Sequence, residues 1–213
     1  LRRYNGITHN NSAPHNFEFD GTNDYLGEAS SSYGGSAFTV AFQNAYTVSQ
    51  WVYLPSTWTT GDMHFLFQFY EDSNNHVMFQ IDGASAEVHV YTSSGLFQGG
   101  TFAPAGPSMI TNKGKWLYHT VTHNGYGIYK YYINGIYIGL RGGGGTPTAT
   151  AKPMVVGRSS FPGISGYYYT WANVKVGHIH VYSSELKCSQ IRQNYLASHD
   201  MHNTRLYGDT TLA

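Results

Sequence analysis

The sequence predicts an all-β chain: two antiparallel sheets packed as a sandwich, with one short helix near the C-terminus. Three observations carry this. Apolar and polar residues alternate along most of the chain, the two-residue period of a strand with one buried face. Asn134-Gly135 stands between two apolar runs, the strongest short hairpin signal, because both central turn residues need positive φ. Aromatic residues make up 16% of the chain and charged residues only 11%, against roughly 25% in an average chain, a composition that suits half-buried pleated surfaces.

The elements follow in order. Residues 1–15 (LRRYNGITHNNSAPH) are polar and read as an N-terminal arm. Phe17 to Leu26 (FEFDGTNDYL) reads as a strand closing in an Asp20-Gly21-Thr22-Asn23 turn, with Tyr25 and Leu26 returning to a sheet. Strands are predicted over Thr47–Tyr53, ending at Leu54-Pro55, and over His64–Tyr70, with Phe65, Phe67 and Phe69 on one face and Leu66 and Gln68 on the other. Glu71 to Asn75 is a polar turn, and strands return over Val77–Asp82 and Glu87–Thr92. Phe97 to Lys115, rich in Gly, Pro, Ser and Thr, reads as a long surface loop. Trp116–His123, Tyr129–Ile133, Ile136–Leu140, Met154–Gly157 and a segment within Asn173–Tyr182 complete the strands. Ser189–Ala197 carries the helix, and residues 198–213 read as a polar tail. No linker or internal repeat divides the chain, so residues 1–213 are read as a single domain.

Composition narrows the function classes. Twelve basic and twelve acidic residues cancel, and no basic stripe of the kind that tracks phosphates is present, so no nucleic-acid partner is expected. No apolar run reaches the roughly 18 residues a spanning helix needs, so no membrane insertion is expected. A lone cysteine, Cys188, rules out an intrachain disulfide. The chain begins at Leu1 and is read as a processed product, a fragment, or a sequence lacking its start. Asn10-Asn11-Ser12 is a formal glycosylation sequon, relevant only to a secreted chain.

Six segments, in order, resemble the laminin-G-like and pentraxin-like branch of the concanavalin A-like jelly rolls. Phe19 to Leu26 resembles that family's opening strand and turn, and Tyr46 to Val52 its "FTISAWV" strand. Gly114 to Gly125 (GKWLYHTVTHNG) resembles "GKWHHVAVTYDG", and Tyr132 to Gly139 resembles "YVDGVLVG". Val155 to Arg158 is similar to "LIIGR", and Ile179 to Leu186, followed by Gln190-Ile191, is similar to "VRIYNRALS-x-x-EI". The resemblance implies a two-sheet antiparallel jelly-roll sandwich. Its anchors are strand, turn and core residues, so it says little about activity. Departures are informative. Gly177 and His178 stand where the family carries an acidic pair, and Lys187 and Gln190 stand where a Ser-x-x-Glu capping box begins the helix.

No enzyme is expected. Glycoside hydrolysis needs two opposed carboxylates. In the glucanases of this fold they lie on one strand as Glu-x-Asp-x-x-Glu. Here Glu18-Phe19-Asp20 begins that pattern, but Asn23 stands where the last Glu should be. Cys188 lacks a basic cluster that would activate it. No cofactor is required, and calcium is the cation that oxygen-rich turns suit. The candidate ligands are Asp20, Asp24, Asp72 and Asn74, and the alternative is that these side chains simply end strands by bonding to backbone. By comparison with pentraxins a double-calcium site is not expected, because Arg158-Ser159-Ser160-Phe161 contains no acid. His178 and His180 share a strand face, where zinc or plain solvation are the two readings. His119 falls on the apolar parity and reads as a satisfied, partly buried ring. Tyr129, Tyr131, Tyr167, Tyr169 and Trp171 are candidate stacking surfaces for a sugar, with simple packing as the commoner use of any one ring.

These readings converge on a non-enzymatic recognition or assembly module at a virion surface or in an extracellular setting. The first form is a virion structural protein, a capsid decoration or fibre component, whose terminal arms contact like or unlike subunits. The alternative is a carbohydrate-binding, lectin-like domain for surface glycans, with calcium as its candidate cation.

Overall fold

The computed structural model describes residues 2–4, 7–10, 15–27, 39–40, 44–59, 63–72, 75–82, 85–92, 95–101, 109–142, 152–158 and 172–202. Among them run the strands β1 (Arg2–Tyr4), β2 (Thr8–Asn10), β3 (Asn16–Glu18), β4 (Tyr25–Gly27), β5 (Thr39–Val40), β6 (Ala45–Tyr53), β7 (Met63–Asp72) and β8 (Asn75–Asp82). They continue with β9 (Ser85–Thr92), β10 (Gly95–Thr101), β11 (Trp116–Asn124), β12 (Tyr129–Ile133), β13 (Ile136–Arg141), β14 (Lys152–Val156) and β15 (Lys175–Tyr182). The helix α1 (Cys188–His202) follows.

The strands form two sheets. The first runs β1-β4-β14-β7-β8-β9-β10, with β5 paired to β14 beside that path. The second runs β13-β12-β11-β6-β15-β3-β2. Every pairing is antiparallel. The predicted all-β sandwich with one C-terminal helix is therefore the observed fold.

Alternation places the core. Tyr46, Val48 and Val52 of β6, Leu117 and Val121 of β11, and Tyr129 and Tyr131 of β12 point inward from the second sheet. Phe67 and Phe69 of β7, Phe79 of β8 and Val88 and Val90 of β9 meet them from the first. Rings touch across the gap: Phe79 lies 5.3 Å from Tyr131, and Tyr46 lies 5.5 Å from Phe69. Each such buried side chain contributes roughly 1.5–3 kcal/mol by leaving water.

Four sequence expectations change. The alternation read for His64–Tyr70 is broken by a register shift between Phe65 and Phe67, so Leu66 joins Phe67 and Phe69 in the core. Residues 97–101, the start of the stretch read as loop, belong to β10, which pairs with β9, because pairing with a neighbouring strand outweighs their glycines. Within the predicted N-terminal arm, β1 pairs with β4 and β2 with β3. Those residues are paired into the chain's own sheets. The helix begins at Cys188 and runs to His202, into the stretch read as tail. Its degraded capping box keeps one half: the Lys187 N–H donates to Gln190 Oε1 at 2.9 Å, since glutamine accepts as glutamate does.

The Asn134-Gly135 hairpin is as predicted, with φ of 53° and 74°. Asn134 adds a bond the turn signal did not announce, its Oδ1 accepting the Tyr118 N–H at 2.9 Å.

Candidate functional site

One end of the second sheet carries a cleft of about 360 Å³ on its outer face. Strand register builds it. Tyr53 of β6 pairs with Lys175 of β15, Lys175 pairs with Glu18 of β3, and Glu18 pairs with Thr8 of β2. Four side chains on four strands thus form one outward row, since directly opposed residues share a sheet face. Their neighbours Val52, Val176 and Phe19 face the core. The cleft is completed by Asp20 and Asp24 from the turn after β3, Pro55 after β6, and Asn173 and Val174 before β15.

The turn is built for this place. The Asp20 Oδ1 accepts the Thr22 N–H at 2.7 Å, and the Asp24 Oδ2 accepts the Asp20 N–H at 3.1 Å. Gly21 has a φ of +78° and lies so close to Asn173 that a Cβ there would come within 3.0 Å of the Asn173 Cβ. Asn173 is positioned in turn by its N–H donating to His64 Nδ1 at 3.1 Å.

Charge is unevenly compensated. The Lys175 Nζ sits 2.9 Å from Glu18 Oε1 and 5.9 Å from the centre of the Tyr53 ring. Asp24 is only 4% exposed, and its Oδ1 is buried with no hydrogen-bond partner among the described residues. Burial pushes the Asp24 carboxyl up from its ordinary range. The Asp20 N–H opposes that rise, and the Asp20 carboxylate adds to it.

Beside the cleft the outer face is roofed. Helix α1 lies over Trp51 and Tyr118, whose rings are 5.8 and 6.1 Å from Tyr195. The Trp51 Nε1–H donates to Ser198 Oγ at 2.9 Å. Tyr53 and Trp116, 5.8 Å apart, mark the border between the roofed part and the open cleft.

The sequence-predicted site residues fall in different places. Asp20 and Asp24 come together, each with one oxygen committed to a backbone N–H, the strand-ending role given as their alternative. Asp72 ends β7 in the other sheet, and Asn74 lies outside the described residues. Among the described residues no group of three or more His, Cys, Asp or Glu side chains is placed to hold a metal ion. Tyr129 and Tyr131 are each 1% exposed and belong to the core, which corrects their reading as stacking surfaces. Their parity was right, but the face they share turns inward. Tyr167, Tyr169 and Trp171 lie outside the described residues. His178 and His180 lie 6.3 Å apart, and His180 is 6.3 Å from Tyr182, so this face carries a row of rings. Arg158 places its guanidinium 3.8 Å over the Tyr25 ring, a cation–π contact.

Sequence reasoning missed Thr8, Tyr53, Pro55, Asn173 and Lys175. The only available signal was parity: Tyr53 is opposite in face to Val52, and Lys175 to Val176. Which strands bring those outward residues side by side is a matter of topology.

Solved structures share this architecture. The binding domain of botulinum neurotoxin DC in complex with rat synaptotagmin II matches with a TM-score of 0.66 and 14% identity, over 92% of this chain and 46% of that one. A botulinum neurotoxin type C structure, of a toxin whose way into cells depends on interaction with two ganglioside molecules, matches with a TM-score of 0.67 and 15% identity, over 92% and 46%. The receptor-binding domain of botulinum neurotoxin D matches with a TM-score of 0.65 and 15% identity, over 92% and 47%. At such identities the likeness is one of fold, and this chain spans about half the length of those it matches. No curated protein sequence is significantly similar to it. The family model of laminin-G type, described as concanavalin A-like lectin/glucanases superfamily, matches residues 20–192. Over that span, which covers most of both sheets, the chain belongs to the concanavalin A-like lectin/glucanases superfamily.

Proposed function

We propose that this chain is a non-enzymatic glycan-recognition module that binds its sugar in the cleft between Tyr53 and Asp24. The observation that carries this reading is the cleft's composition at the scale of one or two sugar rings: an aromatic ring beside Glu18, Asp20, Asn173 and Lys175. Sugars are recognised this way, with apolar ring faces on an aromatic side chain and hydroxyls on carboxylates and amides. Superfamily membership supports it, as do structural neighbours described as receptor-binding domains.

A binding role suits the carboxylates better than hydrolysis does. Glu18 is held by Lys175, and the buried Asp24 is tied to the Asp20 backbone. The setting that matches glycan recognition is extracellular or the surface of a virion, and we propose it as the location. Assembly through arms has less support, because β1 and β2 are paired within the chain.

A glycan array probed with and without chelator tests the reading. Binding to a defined glycan set, abolished by Tyr53→Ala while the melting curve stays cooperative, is the expected result. An array silent under both conditions would remove it.

A further inference from the structure

We propose that β13, the outer edge strand of the second sheet, pairs with β13 of a second copy of this chain, making a twofold dimer in which Tyr137 packs on the partner's Leu140. The inference stands on that edge alone and does not depend on the glycan reading.

The exposed apolar surface is gathered there. Among the described residues the large apolar side chains left exposed are Tyr126, Ile128, Ile136, Tyr137, Leu140 and Leu196. The first five belong to the β12–β13 hairpin and the turn before it. Leu196 is beside them: Arg192, one helical turn earlier, meets the hairpin so closely that a Cβ on Gly135 would lie 2.9 Å from the Arg192 Cα. Together these side chains expose on the order of 500 Å² per copy, the size of the largest patch on a typical monomer and somewhat under the roughly 800 Å² per partner of a standard interface. The far edge of the same sheet differs: β2 is three polar residues, Thr8-His9-Asn10. β13 has six residues and neither Lys nor Pro, the side chains that ordinarily keep an edge from pairing.

A bulge singles out a second copy as the occupant. The register of β12 on β13 shifts between Tyr131 and Tyr132, and Ile138 is the extra residue. Ile136, Gly139 and Arg141 oppose Ile133, Tyr131 and Tyr129, which face the core, and Ile138 itself packs against it. Tyr137 and Leu140 oppose Tyr132 and Lys130 on the outer face. From 136 to 141 the side chains therefore point in, out, in, in, out, in. A straight strand alternates strictly and cannot match that order. The order is a palindrome, so a second copy run antiparallel about a twofold axis between Ile138 and Gly139 matches it throughout. Ile136 then opposes the partner's Arg141, Tyr137 the partner's Leu140, and Ile138 the partner's Gly139. Arg141, the only charge on β13, meets an apolar neighbour. Outer faces join outer faces, so both clefts open on the same side of the joined sheet, each near its far end.

Sedimentation equilibrium of the full chain from about 1 to 200 μM tests this, in reductant so that the exposed Cys188 cannot link copies. A monomer–dimer equilibrium with a micromolar Kd is the expected result for a patch at the small end of stable interfaces. Tyr137→Lys and Leu140→Glu should each weaken the dimer at least roughly tenfold while melting stays cooperative. Mixing the two variants should give a heterodimer tighter than either homodimer, because the new ammonium and carboxylate face each other across the edge. Amide exchange of the unsubstituted chain reads the same edge without mutation: β13 should slow as concentration rises, and β2 should not. A chain monomeric over the whole range overturns the inference, as does a dimer that both charge variants leave intact. So do variants that gain nothing on mixing, since a merely sticky patch has no preference for opposite charges at these two positions. Exchange in β13 that ignores concentration overturns it as well.

Discussion

The inner and outer faces of the second sheet carry similar residue types to opposite ends. Inside, His119 shares a 2.6 Å hydrogen bond with Tyr131, and His123 stacks 4.5 Å from Tyr129. Outside, Tyr53, Lys175, Glu18 and Thr8 form the row that lines the cleft. The inner rings are paired with each other and covered from the facing sheet: Phe79 packs on Tyr131, and Phe69 packs on Tyr46, the neighbour of His123. The outer row keeps its polar ends accessible. A tyrosine beside a titratable group is thus a packing unit or a recognition unit according to what covers it. Burial neutralises the inner pair: His119 is held down to about 3, from an ordinary 6.5, by loss of solvent. His123 is lowered for the same reason, its Nδ1–H donating to the Asn44 carbonyl and its Nε2 accepting the Gly127 N–H.

This contrast can be broken by mutation, beginning inside. Tyr131→Ala removes a fully buried ring and should cost about 3–5 kcal/mol of stability in denaturant unfolding. A cost under about 1 kcal/mol would mean that the inner row is not core. Acid should act next. The unfolded His119 takes a proton below pH 6.5 that the native ring refuses until about pH 3, so stability falls as pH drops through that window. The slope approaches roughly 1.4 kcal/mol per pH unit for one such group, and His119→Gln should flatten it. A wild-type stability that is level between those limits contradicts the burial of the ring.

On the roofed part of the outer face, Ser198→Ala removes the acceptor of the Trp51 indole N–H and should cost about 1–3 kcal/mol. The loss should be accompanied by faster amide exchange in α1 than in β6. Smallest is the open cleft. Lys175→Met breaks a partly exposed ion pair, and its stability should change by less than about 1 kcal/mol. Asp24→Asn removes a desolvated carboxylate and should leave the melting temperature unchanged or raise it at neutral pH. Large destabilisation by either would assign the cleft a structural role rather than a recognition one.

Much of this could be read in the chain. The period of two gave β6, β8, β9, β11, β12 and β15 to within a few residues, because a half-buried strand must alternate. The Asn134-Gly135 turn was legible because few residues tolerate positive φ. The β7 bulge was not, since a one-residue shift leaves no mark in a run as apolar as HFLFQFY. Nor was β10, whose pairing comes from β9 rather than from its own composition. For the site, FEFDGTNDYL announced the acids of the turn. The third glutamate of a glucanase is absent, so the stretch read chiefly as a marker of the fold. It proves to wall the cleft as well.

The local pattern, by itself, determined which side chains of each strand share a face and where the tightest turns fall, because both depend on neighbours within a few residues. Only the tertiary structure decided which face is the inside. Tyr129 and Tyr131 show this: their common face was evident, but its burial depended on a sheet arriving from elsewhere in the chain. The cleft was decided in the same way. Thr8, Glu18, Tyr53 and Lys175 are far apart in sequence and become one row only because β2, β3, β15 and β6 are adjacent in the sheet. Strand order is set by which apolar faces can be covered together, a property of the whole chain that no short segment records.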